Sequence, residues 1–326
     1  MKNLDFSHLS KISNHSTLII LVAIVIGSTL GFTQPQIGEV AGELVDPTIL
    51  VLVFLLLFEV PIKGIFKGFT NLKFLSIAWV TNFVVIPLIG VAVASLFLSG
   101  QALFYTGLVI YFMAPCTDWY LGFIRVAKGN VELGAALLPV NMITQLILFP
   151  VYLLMFDTFV SYKIDLMMLI DWFIQPLAAA VVLRIVTRRF MSTLLELSRI
   201  AIPLTLGFLV ANIFAANIGV LASHLSILPL LFGAIFAFFI ITLVLSELVS
   251  KAFNLPYGDH CVLSFTTAAR NAPLMLGLTT VAIPDQPLIY ATITIGMLFE
   301  FPHLTAIKAI LLKRLSGTTQ QSLANS

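Results

Sequence analysis

Charge is what this sequence has least of. Asp, Glu, Lys and Arg make up 10% of its 326 residues, where a soluble domain carries roughly 25%. That scarcity excludes an ordinary water-soluble domain. What charge there is nearly cancels, at net +2, so no basic face is left for nucleic acid. Cysteine is almost absent. Cys116 and Cys261 both lie in apolar runs, which excludes a disulfide framework, and no metal-ligand spacing accompanies them. The chain also lacks a Walker loop, a dinucleotide-binding glycine fingerprint and a zinc-protease motif. We expect no cofactor and no enzymatic activity, and ATP-driven work would need a separate subunit.

Apolar residues fill the space that charge leaves, at 60% of the chain. They come in continuous runs rather than in the alternation of a transmembrane barrel. About 20 apolar residues cross a bilayer as a helix, and a helix satisfies its own backbone in lipid. The runs predict an all-α polytopic membrane protein with about ten spans, near 17–33, 44–62, 73–98, 102–124, 132–156, 166–187, 200–220, 225–250, 258–283 and 286–312. The first run lacks a small-residue cleavage site and reads as a span, not a signal peptide. Of the 17 Lys and Arg, all but two fall on one side of this layout. Lys163 is alone on the other side and Arg270 is inside a span. The positive-inside rule then makes both termini cytoplasmic in the cell inner (plasma) membrane, with lipid as the surrounding partner.

Five spans followed by five more would place the second half upside down, the inverted-repeat plan of many secondary transporters. The expected organisation is a cytoplasmic segment 1–16, a first five-helix repeat 17–157, an inverted second repeat 158–312 and a polar cytoplasmic tail 313–326. Spans four and nine carry matching interruptions, Ala-Pro-Cys-Thr-Asp at 114–118 and Ala-Arg-Asn-Ala-Pro at 269–273. Proline removes a backbone donor and breaks the helix. Broken backbone is tolerated at membrane depth only inside protein or beside a wet cavity. The two breaks are therefore expected to face the interior and to cross.

An unpaired charge at mid-membrane costs about 2.5–3.5 kcal/mol, so Asp118 and Arg270 are expected to approach each other there. The alternative is that Asp118 caps the half-helix after the break. Glu300, in Phe-Glu-Phe-Pro, reads as a proton carrier or as a hydrogen-bonded acid at a kink. Glu59 is closer to the interface and reads as structural. Asn82, Asn141, Gln145 and Asn271 are amides at mid-span depth, fit for a polar pathway or for glue between helices. Cys116 beside Pro115 is placed to face the pathway, where a thiol suits a soft centre such as trivalent arsenic or antimony. Cys261 reads as packing, Asp259 and His260 as caps or anchors, and the Phe-rich run 232–239 as lipid-facing bulk. Trp79 and Trp172 read as surface belt residues, and Trp119 as a cavity wall.

These residues carry a resemblance. Ala114-Pro-Cys-Thr-Asp-Trp-Tyr-Leu-Gly-Phe, Ala127-Lys-Gly-Asn, Leu138-Pro-Val-Asn141 and Gln145 resemble the bile acid:sodium symporter superfamily, nearest to its arsenical-resistance (arsenite efflux) branch. Thr81-Asn82 with Pro87, Leu263-Ser-Phe-Thr-Thr-Ala-Ala-Arg-Asn, and Glu300 followed by Pro302 agree. The resemblance implies ten spans in two inverted repeats, a panel moving against a core, and broken helices four and nine crossing in that core. It implies a small transported solute held by Cys116, Thr117, Asp118, Arg270 and Asn271. Asp118 and Glu300 are the proton-coupling candidates, and Asn82, Asn141, Gln145 and Thr266 line the path. Two departures stand out. Sodium-coupled members are similar in a glutamate and a glutamine where Thr266 and Arg270 stand, and a fixed guanidinium there would repel Na⁺. The arsenite branch has a glutamate just after the Asn of the second break, where this chain has Ala272 and Pro273. The first expectation is therefore arsenite or antimonite efflux by proton antiport. The metalloid at Cys116 would be cargo, not a resident metal. The second is organic-anion transport, sodium- or proton-coupled, with Arg270 forking a carboxylate or sulfonate. Short loops and the lack of a catalytic constellation argue against a membrane sensor or an intramembrane enzyme.

Overall fold

Proline and glycine decide where the apolar runs turn, break or touch. The computed structural model describes residues 7–59, 71–116, 120–156, 178–187, 189 and 191–324. The helices are α1 (Ser7–Thr33), α2 (Pro35–Glu59), α3 (Leu72–Val80), α4 (Ile86–Leu98), α5 (Ala102–Met113), α6 (Tyr120–Val126), α7 (Val131–Phe156), α8 (178–186), α9 (Met191–Ala222), α10 (Leu228–Ala252), α11 (Tyr257–Ala268), α12 (Ala272–Ala282) and α13 (Pro287–Ala324). Among the described residues five helical stretches are long and apolar enough to cross a membrane: 72–98, 131–152, 193–222, 225–252 and 287–316. Shorter apolar helices cover 18–33, 102–113 and 272–282.

Several boundaries differ from the sequence expectation. α2 begins at Pro35, not at 44, because proline is pre-set for the first turn of a helix. Only Gln34 separates it from α1. α13 runs on to Ala324, past the point where a polar tail was expected. Most of the sixth expected span, with Trp172, lies outside the described residues, as does Trp119.

The apolar stretch 72–98 carries a feature that sequence did not suggest, a π-helical turn at Thr81–Val85 joining α3 to α4. Pro87 has no N–H to offer the carbonyl four residues back, that of Phe83. The Tyr152 hydroxyl of α7 donates to that carbonyl instead, at 2.7 Å.

α9 packs along both α1 and α2. Gly27 and Gly31 of α1 make this possible. A Cβ built on either would stand 2.2 Å from the Ala211 carbonyl oxygen or 2.1 Å from that of Ala215. Small residues one turn apart let two membrane helices close backbone to backbone. A second group gathers around α5 and α13, with α4, α10, α11 and α12 packed about them. Large apolar side chains such as Val25, Leu88, Leu96, Ile147 and Phe236 remain exposed on the outside, as a lipid-facing surface requires. The Phe-rich run is not uniformly lipid-facing, however. Phe238 and Phe239 are buried, and Phe238 stacks on Phe112 with ring centroids 3.7 Å apart.

Candidate functional site

The two breaks cross. After Met113 and after Ala268 the chain leaves the helix and runs extended through Ala114 and Ala269. The strands so formed pair antiparallel as a single bridge, Pro115 opposite Arg270. The Cys116 N–H donates to the Ala269 carbonyl and the Asn271 N–H to the Ala114 carbonyl, both at 2.9 Å. Pro115 and Arg270 thus form the pair that exchanges no hydrogen bond with its opposite number. Proline therefore loses nothing by lacking a donor. The Arg270 N–H is left over, and the Glu300 carboxylate of α13 accepts it at 3.1 Å. This accounts for a carboxylate in the middle of α13: it satisfies a main-chain donor that the crossing frees.

The Arg270 side chain is fully buried. Its Nη1 donates to the Phe112 carbonyl at 2.8 Å, and its Nη2 to the carbonyls of Thr266, at 3.1 Å, and Thr267. These carbonyls belong to the last turns of α5 and α11, where no later residue of the helix can donate to them. The negative ends of two helix dipoles meet there. The guanidinium caps both helices at once, with its Cζ 5.8 Å from the Phe238 ring centroid. Thr117 and Asp118 lie outside the described residues, and the expected approach of Asp118 to Arg270 lies there with them.

Beside the crossing, three helices converge on Thr266. The amides of Asn82, from the π-helical turn, and Asn141, from α7, both donate to its Oγ1, at 3.0 and 3.1 Å. Gln145, one turn further along α7, donates to the Met142 sulfur. The side-chain oxygens of Asn82, Asn141 and Gln145 are buried and meet no donor among the described residues. A buried polar atom without a partner costs about 1–3 kcal/mol, and these three oxygens are acceptors of that kind.

Cys116 is fully buried at the bridge. Cys261 lies away from the crossing, buried with its sulfur 3.9 Å from the Ala127 carbonyl oxygen. The loop carrying Ala127 is clasped to the start of α11: the Tyr257 hydroxyl donates to Ala127, and the Asn130 amide donates to Asp259. His260 lies beside Glu247, which also holds Arg314, so α10, α11 and α13 are tied together at one end. Trp79, on the surface, donates to Thr144. The side chain of Glu59 lies outside the described residues.

Sequence reasoning missed Tyr111, whose hydroxyl donates to the Gly296 carbonyl beside Glu300. It also missed the three main-chain oxygens that hold Arg270. Carbonyls have no residue-type signal, and only the crossing of the breaks could have pointed to them.

A search of the curated proteins finds no match to this chain. The sequence model of the Sodium Bile acid symporter family matches residues 47–253, a stretch that contains the first break and stops short of the second. The chain belongs to the Sodium Bile acid symporter family, and is a multi-pass membrane solute transporter rather than an enzyme.

Proposed function

We propose that this transporter exports arsenite or antimonite, as the neutral trihydroxy acid, in exchange for protons. The observation that carries the reading is the buried thiol of Cys116 at the crossing of two broken helices. The unsatisfied oxygens of Asn82, Asn141 and Gln145 in the same buried core support it. A trivalent metalloid hydroxide offers what such a site lacks. Its O–H groups donate to those oxygens, and its soft centre exchanges one hydroxide for the Cys116 sulfur, the thiol proton leaving with that hydroxide as water. One thiol binds weakly, which release requires. An organic anion fits less well, because the Nη1 and Nη2 edge that would fork a carboxylate already faces main-chain carbonyls.

Glu300 is the proton carrier in this reading, with Asp118 as a second acid. It is buried and hydrogen-bonded to the very residue that anchors the second break. Moving a proton there changes the charge next to the site, and so its affinity for solute. The crossing is sealed by packing, so access requires the α1–α2–α9 panel to move against the remaining helices. Two inverted five-helix repeats, 17–157 and 158–312, with both termini cytoplasmic, supply that motion.

The test is resistance. In a host stripped of its own exporters, the chain should raise arsenite tolerance, and Cys116→Ser should abolish the gain at unchanged membrane expression. Tolerance equal in wild type and Cys116→Ser would sink the thiol role.

A further inference from the structure

Three main-chain carbonyl oxygens, those of Phe112, Thr266 and Thr267, face one guanidinium from the C-terminal turns of two helices. A carboxylate, Glu300, is held on the same residue's peptide N–H. Every group in this cage is an acceptor, and together with two helix dipole ends it makes a region of concentrated negative potential. Cages of backbone carbonyls are how membrane proteins replace the water of a monovalent cation. Here the cage is filled by the chain itself.

We propose that the Arg270 guanidinium is a tethered cation occupying a monovalent-cation site, so that this transporter runs without a free Na⁺ or K⁺ at its crossing. Removing the side chain opens that site to a free ion. The consequence for the cycle is direct. A cation that is part of the chain never dissociates, so it stabilises the crossed breaks in every state and contributes no driving force. Energy must then enter through another group. A free ion in the same cage would instead lock the crossing only when bound. The proposal does not depend on which solute is carried.

The cage has the features of a built site. Arg270, Thr266, Thr267 and Phe112 are all fully buried, and Glu300 nearly so. The Phe238 ring closes one side of the cage with its π-face, which favours any cation there. Each carbonyl left without the guanidinium would need a replacement partner at membrane depth.

The experiment is thermal unfolding of the purified full chain in detergent, followed by tryptophan fluorescence, in chloride salts of Na⁺, K⁺ and choline at matched ionic strength. For the wild type, we expect one unfolding temperature in all three salts. Arg270→Ala should unfold at a lower temperature in choline and regain stability saturably in Na⁺ or K⁺. The rise should be about 5 °C at a hundredfold excess over Kd. Arg270→Lys, which restores a tethered charge, should lose the salt preference again. Three results would overturn the proposal: a folded Arg270→Ala indifferent to cation identity, a wild type stabilised saturably by Na⁺ or K⁺, or an Arg270→Ala that cannot be recovered folded in high concentrations of either ion. The readout needs no solute, so its failure leaves the metalloid reading standing, and failure of that reading leaves this one.

Discussion

Along the seam between α1 and α9 two backbones touch because almost nothing lies between them, whereas at the crossing of the breaks two backbones touch through hydrogen bonds. Gly27 and Gly31 against Ala211 and Ala215 make the first contact a matter of shape alone. At the second, Pro115, Cys116, Ala269, Arg270 and Asn271 make a contact in which every donor and acceptor must be accounted for. The difference teaches what each region can do. The glycine seam can hold a panel together as a rigid body, since lipid offers nothing better to an apolar helix face. The crossing can change its charge and its partners, so chemistry belongs there.

The comparison breaks most sharply at the seam. Gly31→Leu forces a side chain into the space of the Ala215 carbonyl, and we expect a loss of about 3 kcal/mol or more, seen as failure to elute as a single folded species. Gly219→Ala, on α9 where a Cβ meets nothing within 4 Å, should be neutral or slightly stabilising in the same assay. At the crossing, size should matter less than polarity. Thr266→Val keeps the shape but strips the acceptor from Asn82 and Asn141, and about 2 kcal/mol should be lost in thermal unfolding. Thr267→Val removes only contacts within its own helix, from the side chain to the Leu263 and Ser264 carbonyls. It should cost less than about 1 kcal/mol. Glu300→Gln preserves an acceptor for the Arg270 N–H, so about 1–2 kcal/mol is expected. Its larger signature is functional: solute exchange at equilibrium should persist while a pH gradient no longer drives accumulation. Smallest of all, Trp79→Phe loses one surface hydrogen bond to Thr144 and should shift stability by no more than about 0.5 kcal/mol.

How much of this was legible in sequence follows from the same contrast. Proline in an apolar run is a local signal, so the breaks at 114–118 and 269–273 could be read directly, and so could the interior character of Cys116 and Arg270. The all-α membrane class was legible from the continuous apolar runs. The partners of Arg270 were not, because Phe112 is far from it in sequence and contributes only a carbonyl. Glu300 stood out as a buried acid, but its partner depends on hydrogen-bond parity in a bridge that exists only once the two breaks meet. The π-helical turn at 81–85 left no mark beyond Pro87, and its consequence, Tyr152 on the Phe83 carbonyl, is a tertiary contact. The run 232–239 misled because it has no polar side chain on any face, so hydrophobicity could not tell Phe236, toward lipid, from Phe238, stacked on Phe112.

A proton-driven metalloid path through the crossing is tested most directly by arsenite uptake into everted membrane vesicles carrying this chain, with an imposed proton gradient and with choline replacing all Na⁺ and K⁺. We predict accumulation that collapses with an uncoupler and is absent from Cys116→Ser vesicles. Folded protein that accumulates no arsenite, or that accumulates it equally well without Cys116, would contradict the account.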